Sequence, residues 1–325
     1  MRVLSGVQPS GKLHVGNWFG AIRQFIQLQQ TEGADCFYFI ADLHAMNSIE
    51  NGAELRANSL MLATDFLALG LDPQHSVLYR QSDIPEVTEL MWMLSPVTPM
   101  GLLQRSHSYK DKIARGGAAM HGLFAYPVLM AADILIVHAD RVPVGKDQKQ
   151  HLEITRDIAT AFNQAHGKDL LRVPEPMILA EVAVVPGLDG KKMSKSYGNT
   201  VEIFAPEAEL KKRIMSMLTD STAVADPKPT KGTALYELLK LCTPAGEWAD
   251  TKKKFTDGGT GYGDLKKLLL GRLLDTFSIA RARRERLVND PGFVKQVLVQ
   301  GRERARGVIS AVMTECRRAC GMGWQ

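Results

Sequence analysis

Lys191, Lys192 and Lys195 stand among small residues in the stretch Lys191-Lys192-Met193-Ser194-Lys195-Ser196. Pro186-Gly187-Leu188-Asp189-Gly190 precedes it and Tyr197-Gly198-Asn199 follows, so it reads as a flexible loop. Ammonium groups on such a loop can wrap a triphosphate and neutralise charge that grows on a leaving pyrophosphate. A merely solvated basic loop has the same composition. Far upstream lies a second candidate, running from Gly6 through Gln8, Pro9, Ser10, Gly11 and His14 to Gly16 and Asn17. A loop with glycines at a helix start turns backbone N–H groups and the positive end of the helix dipole toward a phosphate, and a glycine lets a flat base approach the backbone. A plain strand-to-helix turn would also suit these residues. The loop matches neither the G-x-G-x-x-G fingerprint nor a P-loop, which disfavours a dehydrogenase or a P-loop phosphotransferase.

Both loops must be carried by a scaffold. The first half of the chain alternates strand-like and helix-like apolar runs, the pattern of a parallel sheet covered by helices. Arg2 to Val7, Asp35 to Ala41 and Ser76 to Gln81 read as strands. Asn17 to Gln30, Glu54 to Gly70, Leu123 to Val137 and Asp147 to Phe162 read as helices, the last two separated by a short apolar segment, Arg141 to Gly145. The glycine loop then sits at the carboxyl edge of the sheet, where such folds bind ligands. After about residue 200 helical patterns take over, at Pro206 to Leu218, Ala234 to Leu241 and Asp264 to Val288, the last being the most basic stretch. Beyond Pro291 a final amphipathic helix carries Val294, Val297, Leu298, Ala305, Val308, Val312 and Cys316 on roughly one stripe. The expected fold class is α/β, a Rossmann-like parallel-sheet nucleotide-binding domain with a smaller all-helical domain. The expected boundaries are 1–200 for the sheet domain, 201–290 for a helical domain and 291–325 for a helix packing back on the first.

With 325 residues, 45% of them hydrophobic and 23% charged, the chain can bury a large core. No apolar run is long enough to span a bilayer and no secretory signal opens the chain, so a cytoplasmic location without membrane association is expected. Cys36, Cys242, Cys316 and Cys320 are scattered; neither disulfides nor a protein-bound metal or Fe–S cluster is expected from them. The net charge of +5 suits a polyanionic partner without requiring one.

His14-Val15-Gly16-Asn17 and Lys192 to Ser196 together resemble the two signatures of the class I aminoacyl-tRNA synthetases, in the right order on an α/β domain. Ser5 to Gly11, Tyr126 to Leu135 and Val142 to His151 resemble the tryptophanyl branch, with weaker matches at Thr219-Asp220-Ser221 and Gly261-Tyr262-Gly263, so the likeness covers nearly the whole chain. An indole N–H only donates, so a tryptophan pocket needs one acceptor at its base within apolar walls. Asp133 fits the acceptor, with Met130, Val142 and Val144 as walls; a core-pairing role is the alternative for Asp133.

The resemblance implies ATP contacts at Gln8, Pro9, Ser10, His14, Gly16, Asn17, Gly145, Lys146, Asp147, Val184, Lys192, Met193, Ser194, Lys195 and Ser196. It implies amino-acid contacts at Gly6, His44, Tyr126 and Gln148 besides Asp133 and its walls, and catalytic charge at Lys192, Lys195 and Lys112. For His44 a core histidine is the alternative. Three positions depart from the family pattern: Lys146 where glutamate is usual, Leu4 where an aromatic is common, and Tyr197 where aspartate often follows. The implied substrates are L-tryptophan, ATP carrying Mg2+ on its phosphates, and tRNA(Trp), and the implied assembly is a homodimer of bacterial type. A related nucleotidyl transferase and a non-catalytic synthetase-like binder are the rival classes; the first lacks the Met130–Asp133 and Gly145–His151 blocks, and intact lysines argue against the second.

Overall fold

The computed structural model describes residues 1–106, 109–110, 120–144, 149–178 and 184–322. Five parallel strands, β1 (Arg2–Val7), β2 (Asp35–Ile40), β3 (Ser76–Arg80), β4 (Arg141–Val144) and β5 (Glu175–Ile178), form one sheet in the order β3-β2-β1-β4-β5. The strand order reverses between β1 and β4, the point at which open parallel sheets bind ligands beyond their carboxyl ends. β1 and β2 stay in register from Arg2 opposite Asp35 to Val7 opposite Ile40. β1 and β4 pair only at Val3 opposite Arg141 and then part. That divergence explains how Pro143, which has no N–H to give, sits in an interior strand: the ladder to β1 has already ended. It also opens a cleft.

Alternate residues of each strand feed two cores. Val3, Cys36, Tyr38, Ile40 and Leu78 face the first helix, the helix Gly52–Leu69 and the helical half of the chain. Leu4, Phe37, Phe39, Val77 and Tyr79 face the helices Glu86–Leu94, His121–Ile136 and Lys149–His166. Asn51 caps the Gly52–Leu69 helix by accepting from the Ala53 and Glu54 N–H groups, and Gly70, at φ +109°, ends it in the left-handed conformation that glycine tolerates.

The helix Pro291–Ala319 lies along β3, the open edge of the sheet. Val294 and Val297 join one core, while Ala305, Ile309, Val312, Met313 and Cys316 join the other. The crossing is possible because residue 301 is glycine; a Cβ there would lie 1.8 Å from the Leu78 carbonyl oxygen. Arg304 donates to the carbonyls of Pro73 and Ser76, and Arg317 pairs with Glu89. The helix thus covers an edge that would otherwise offer free backbone groups to another strand. Each fully buried aliphatic on it, such as Ile309, contributes about 1.5–3 kcal/mol.

The expected strands and most expected helices are found, with four differences. The first helix carries a π turn, Trp18–Ile22, between Val15–Asn17 and Arg23–Leu28. Arg141 to Gly145, read only as an apolar segment, contains β4. The strand β5 and the helices Glu86–Leu94 and Trp248–Thr256 carried no recognised sequence signal. Finally, most cations of the basic helix, Tyr262–Val288, are used by the fold. Lys266 donates to the Met215 and Met217 carbonyls, Arg272 pairs with Glu247, Arg281 donates to the Ile203 and Ala205 carbonyls, and Arg284 pairs with Asp65. Among the described residues Arg283 and Arg286 have no such partner.

Candidate active site

The cleft between β1 and β4 holds a cavity of about 260 Å³ lined by Leu4, Ser5, Gly6, Gln8, Phe39, Ala41, His44, Tyr126, Met130, Asp133, Ile134, Val142 and Pro143. Six of the residues expected to hold the amino acid are therefore brought together: Gly6, His44, Tyr126, Met130, Asp133 and Val142. Val144 ends β4 and its side chain lies outside the described ones; Gln148 lies outside the described residues. Gly6 is required by its neighbour, since a Cβ there would be 2.3 Å from Phe39 Cζ.

Asp133 is the one carboxylate in this apolar wall and is 2% exposed. Its Oδ2 lies 3.0 Å from His44 Nε2, which donates to it when Asp133 is ionised, and Gln81 Nε2 lies 2.8 Å from each carboxylate oxygen. Burial raises its pKa above the usual carboxylate range, while His44 and Gln81 oppose that rise and the charge of Asp42 adds to it. His44 is thus a cavity-wall residue and a core-bonded histidine at once. Tyr126 Oη meets His151 Nε2 at 2.5 Å and Ser106 Oγ at 3.3 Å. Gln81, His151, Ser106 and Phe39 were not anticipated. The available signal for Gln81 was a polar residue at the carboxyl end of a strand.

Gln8 leaves the cavity and leads into the glycine loop. His14 caps the first helix: its Nδ1 accepts the Asn17 N–H at 3.3 Å and Asn17 Oδ1 accepts the His14 N–H at 3.0 Å, a reciprocal cap with histidine in the usual serine place. Burial, and then the charge of Lys195, lower the His14 pKa to about 4, so the ring is a neutral acceptor at pH 7. A Cβ on Gly16 would lie 2.9 Å from His14 Nδ1 and 3.3 Å from Met193 Cβ, so only glycine fits between the two signatures. The Gly16 N–H points at Met193 Sδ, 3.3 Å away, and Lys195 Nζ donates to the Ser10 carbonyl at 3.0 Å and its Oγ at 3.3 Å.

The lysine loop is scaffolded rather than loose. Asn199, 4% exposed, accepts the Ser194 N–H at 2.8 Å and donates to Asp189 Oδ1 at 2.7 Å and the Lys192 carbonyl at 3.1 Å. Met193 is buried, whereas Lys192, Lys195 and Ser196 are exposed. Val184 is exposed and next to Val185, whose carbonyl accepts the Met193 N–H. Pro9 is buried, and Gln8 and Ser10 are exposed. Lys112, Gly145, Lys146 and Asp147 lie outside the described residues. Among the described residues no three His, Cys, Asp or Glu side chains gather as a metal-ligand set, and no helix is long and apolar enough to cross a membrane.

An acceptor at the base of an apolar cavity, with cationic groups and helix-start N–H groups beyond its mouth, suits a small amphipathic ligand placed against a phosphate-bearing one. Residues 1–277 match the family model for tRNA synthetases class I (W and Y). The chain is 49% identical to the tryptophan–tRNA ligase of Fusobacterium nucleatum over 321 residues, 99% of this chain and 98% of that protein. It is 48% identical to the corresponding ligase of Campylobacter jejuni strain RM1221 over 323 residues, 99% of this chain and all of the relative. Its fold superposes with a TM-score of 0.92 on the crystal structure of tryptophanyl-tRNA synthetase from Campylobacter jejuni in complex with ADP and tryptophan, at 48% identity, covering 99% of this chain and 100% of that one.

Proposed function

Because this chain belongs to the class I tRNA synthetases for tryptophan and tyrosine, we propose that it activates L-tryptophan with ATP and transfers the tryptophanyl group to the terminal adenosine of tRNA(Trp), releasing AMP and diphosphate. The observation that carries the choice of amino acid is Asp133, an acceptor held by His44 and Gln81 in an apolar cavity that also meets Met130, Val142 and Ile134. The tryptophan carboxylate attacks the α-phosphate in line, and its ring occupies the cavity while Tyr126, His44, Gly6 and Gln148 surround its polar end. No side chain needs to take a proton in this step, so the rate comes from positioning and charge stabilisation.

ATP lies across the Gln8–Asn17 loop and the Lys192–Ser196 loop, with adenosine toward Val184 and Gly145 to Asp147. Lys192, Lys195 and Lys112 hold the departing phosphates, with Mg2+ carried on ATP. The contact of Lys195 with Ser10 supports this reading, because it brings one lysine of the second signature against the first. Residues 1–200 act as the catalytic domain, 201–290 as a tRNA-binding helical domain on which Arg283 and Arg286 are available for phosphates, and 291–325 as a closing segment. Two copies form the working dimer in the cytoplasm; the exposed Trp92, Met46, Met100 and Met120 supply apolar surface for that interface.

Tryptophan-dependent exchange of labelled pyrophosphate into ATP tests the proposal, with tyrosine as the control. Exchange with tryptophan alone is expected. Exchange with tyrosine only, or with neither, refutes the assignment.

A further inference from the structure

Gln81 is fully buried at the carboxyl end of β3, behind Asp133 and outside the cavity wall. Its amide has one possible orientation. Oε1 accepts the Leu43 backbone N–H at 3.1 Å, so the NH2 group faces Asp133, 2.8 Å from both Oδ1 and Oδ2. The reverse orientation would set oxygen against a carboxylate and N–H against N–H. With His44 also on Oδ2, that oxygen takes two donors and Oδ1 takes one. The remaining acceptor site of the carboxylate is therefore on Oδ1.

We infer that Gln81 is a positioning residue for amino-acid specificity: its amide donates to both Asp133 oxygens and keeps the carboxylate an acceptor aimed at the ligand's ring N–H. This rests on the tryptophan reading above. The need for such a donor follows from the surroundings. Asp133 projects from the helix His121–Ile136 into a site faced by His44 and Asp42 from one side and by buried Tyr79 of β3 from another, with Tyr126 edge-on to His44. Burial and the charge of Asp42 both favour the protonated acid there. A protonated Asp133 would present an O–H and select ligands with an acceptor, such as a phenol hydroxyl, over a donor-only indole.

The test uses pyrophosphate exchange by the full chain with tryptophan and with 3-benzothienylalanine, in which sulfur replaces the ring N–H at nearly constant shape. The wild type is expected to favour tryptophan in kcat/KM by about 10-fold or more. Gln81→Glu retains the side-chain shape and the acceptor for Leu43 but sets a second carboxyl group against Asp133, so the two must share a proton. Its preference for tryptophan should fall by about 10-fold and change with pH, which the wild-type preference does not, with the KM for ATP unchanged. Gln81→Met should lose the preference at every pH; if it does not fold, Gln81→Glu still decides. Retention of the preference in Gln81→Glu, or equal weakening of both substrates, would make Gln81 merely structural and overturn the inference. So would a wild type that does not discriminate. A wild type that supports no exchange with tryptophan at all removes the underlying assignment instead, a distinguishable result.

Discussion

The cavity around Asp133 and the lysine loop pose opposite electrostatic problems. In the cavity the decisive charge, Asp133, is buried and already bonded to His44 and Gln81. On the loop the charges in question, Lys192 and Lys195, are exposed; the backbone beneath them is pinned by Asn199 and Met193, and Lys195 Nζ rests on Ser10. A buried acceptor must be satisfied before the ligand arrives, because an unpaired charge in a low dielectric is costly. A cation that meets a triphosphate late in the reaction can stay at the surface on neutral partners, provided its loop has a defined shape. On the proposed function, selectivity belongs to the rigid region and transition-state charge to the exposed one.

Breaking the exposed region should give the largest effect. Lys195→Ala is expected to slow tryptophan-dependent exchange by about 10²–10³-fold with tryptophan affinity nearly unchanged, because the ammonium counts most when pyrophosphate charge develops. Parallel loss of affinity and rate would contradict the division of labour. In the rigid region, Asp133→Ala should raise the KM for tryptophan about 100-fold and leave that for ATP unchanged. It should also cost about 1–3 kcal/mol of stability, measured by denaturant unfolding, since Gln81 and His44 lose their acceptor.

The smallest effect concerns pH at the junction of the two regions. The His14 pKa is about 4 in the fold, below the ordinary 6.5 that it regains on unfolding. The unfolded chain then binds the extra proton between those values, so stability from this group is complete above 6.5 and declines as pH falls toward 4. Relative to His14→Asn, which keeps a capping acceptor without titrating, the wild type should lose about 3 kcal/mol over that window. Equal slopes in denaturant unfolding at several pH values would show that His14 is solvated, not buried.

How much was visible beforehand follows from chain distance. Lys192 to Asn199 are contiguous, so the loop and its chemistry could be read from one short stretch. Gly6, His44, Tyr126, Met130, Asp133 and Val142 were legible only through their resemblance to a family, since no local pattern says that they share a cavity. Gln81 escaped even that, because its role depends on Asp133 and Leu43, which the fold alone brings to it. The strand β5 was missed because Glu175-Pro176-Met177-Ile178 contains a proline and no alternation, both tolerable in a short edge strand.

The sequence by itself determined the periodic elements, the glycines that permit close approach, and the chemical types of the site: a neutral or cationic histidine, lysines on a loop, one carboxylate in an apolar helix. Only the tertiary structure decided their states. Whether His14 is neutral, which cations of the basic helix are free, and what holds Asp133 as an acceptor all depend on burial and on partners far apart in the chain. Protonation and hydrogen bonding respond to the distance and dielectric around a group, and folding sets both.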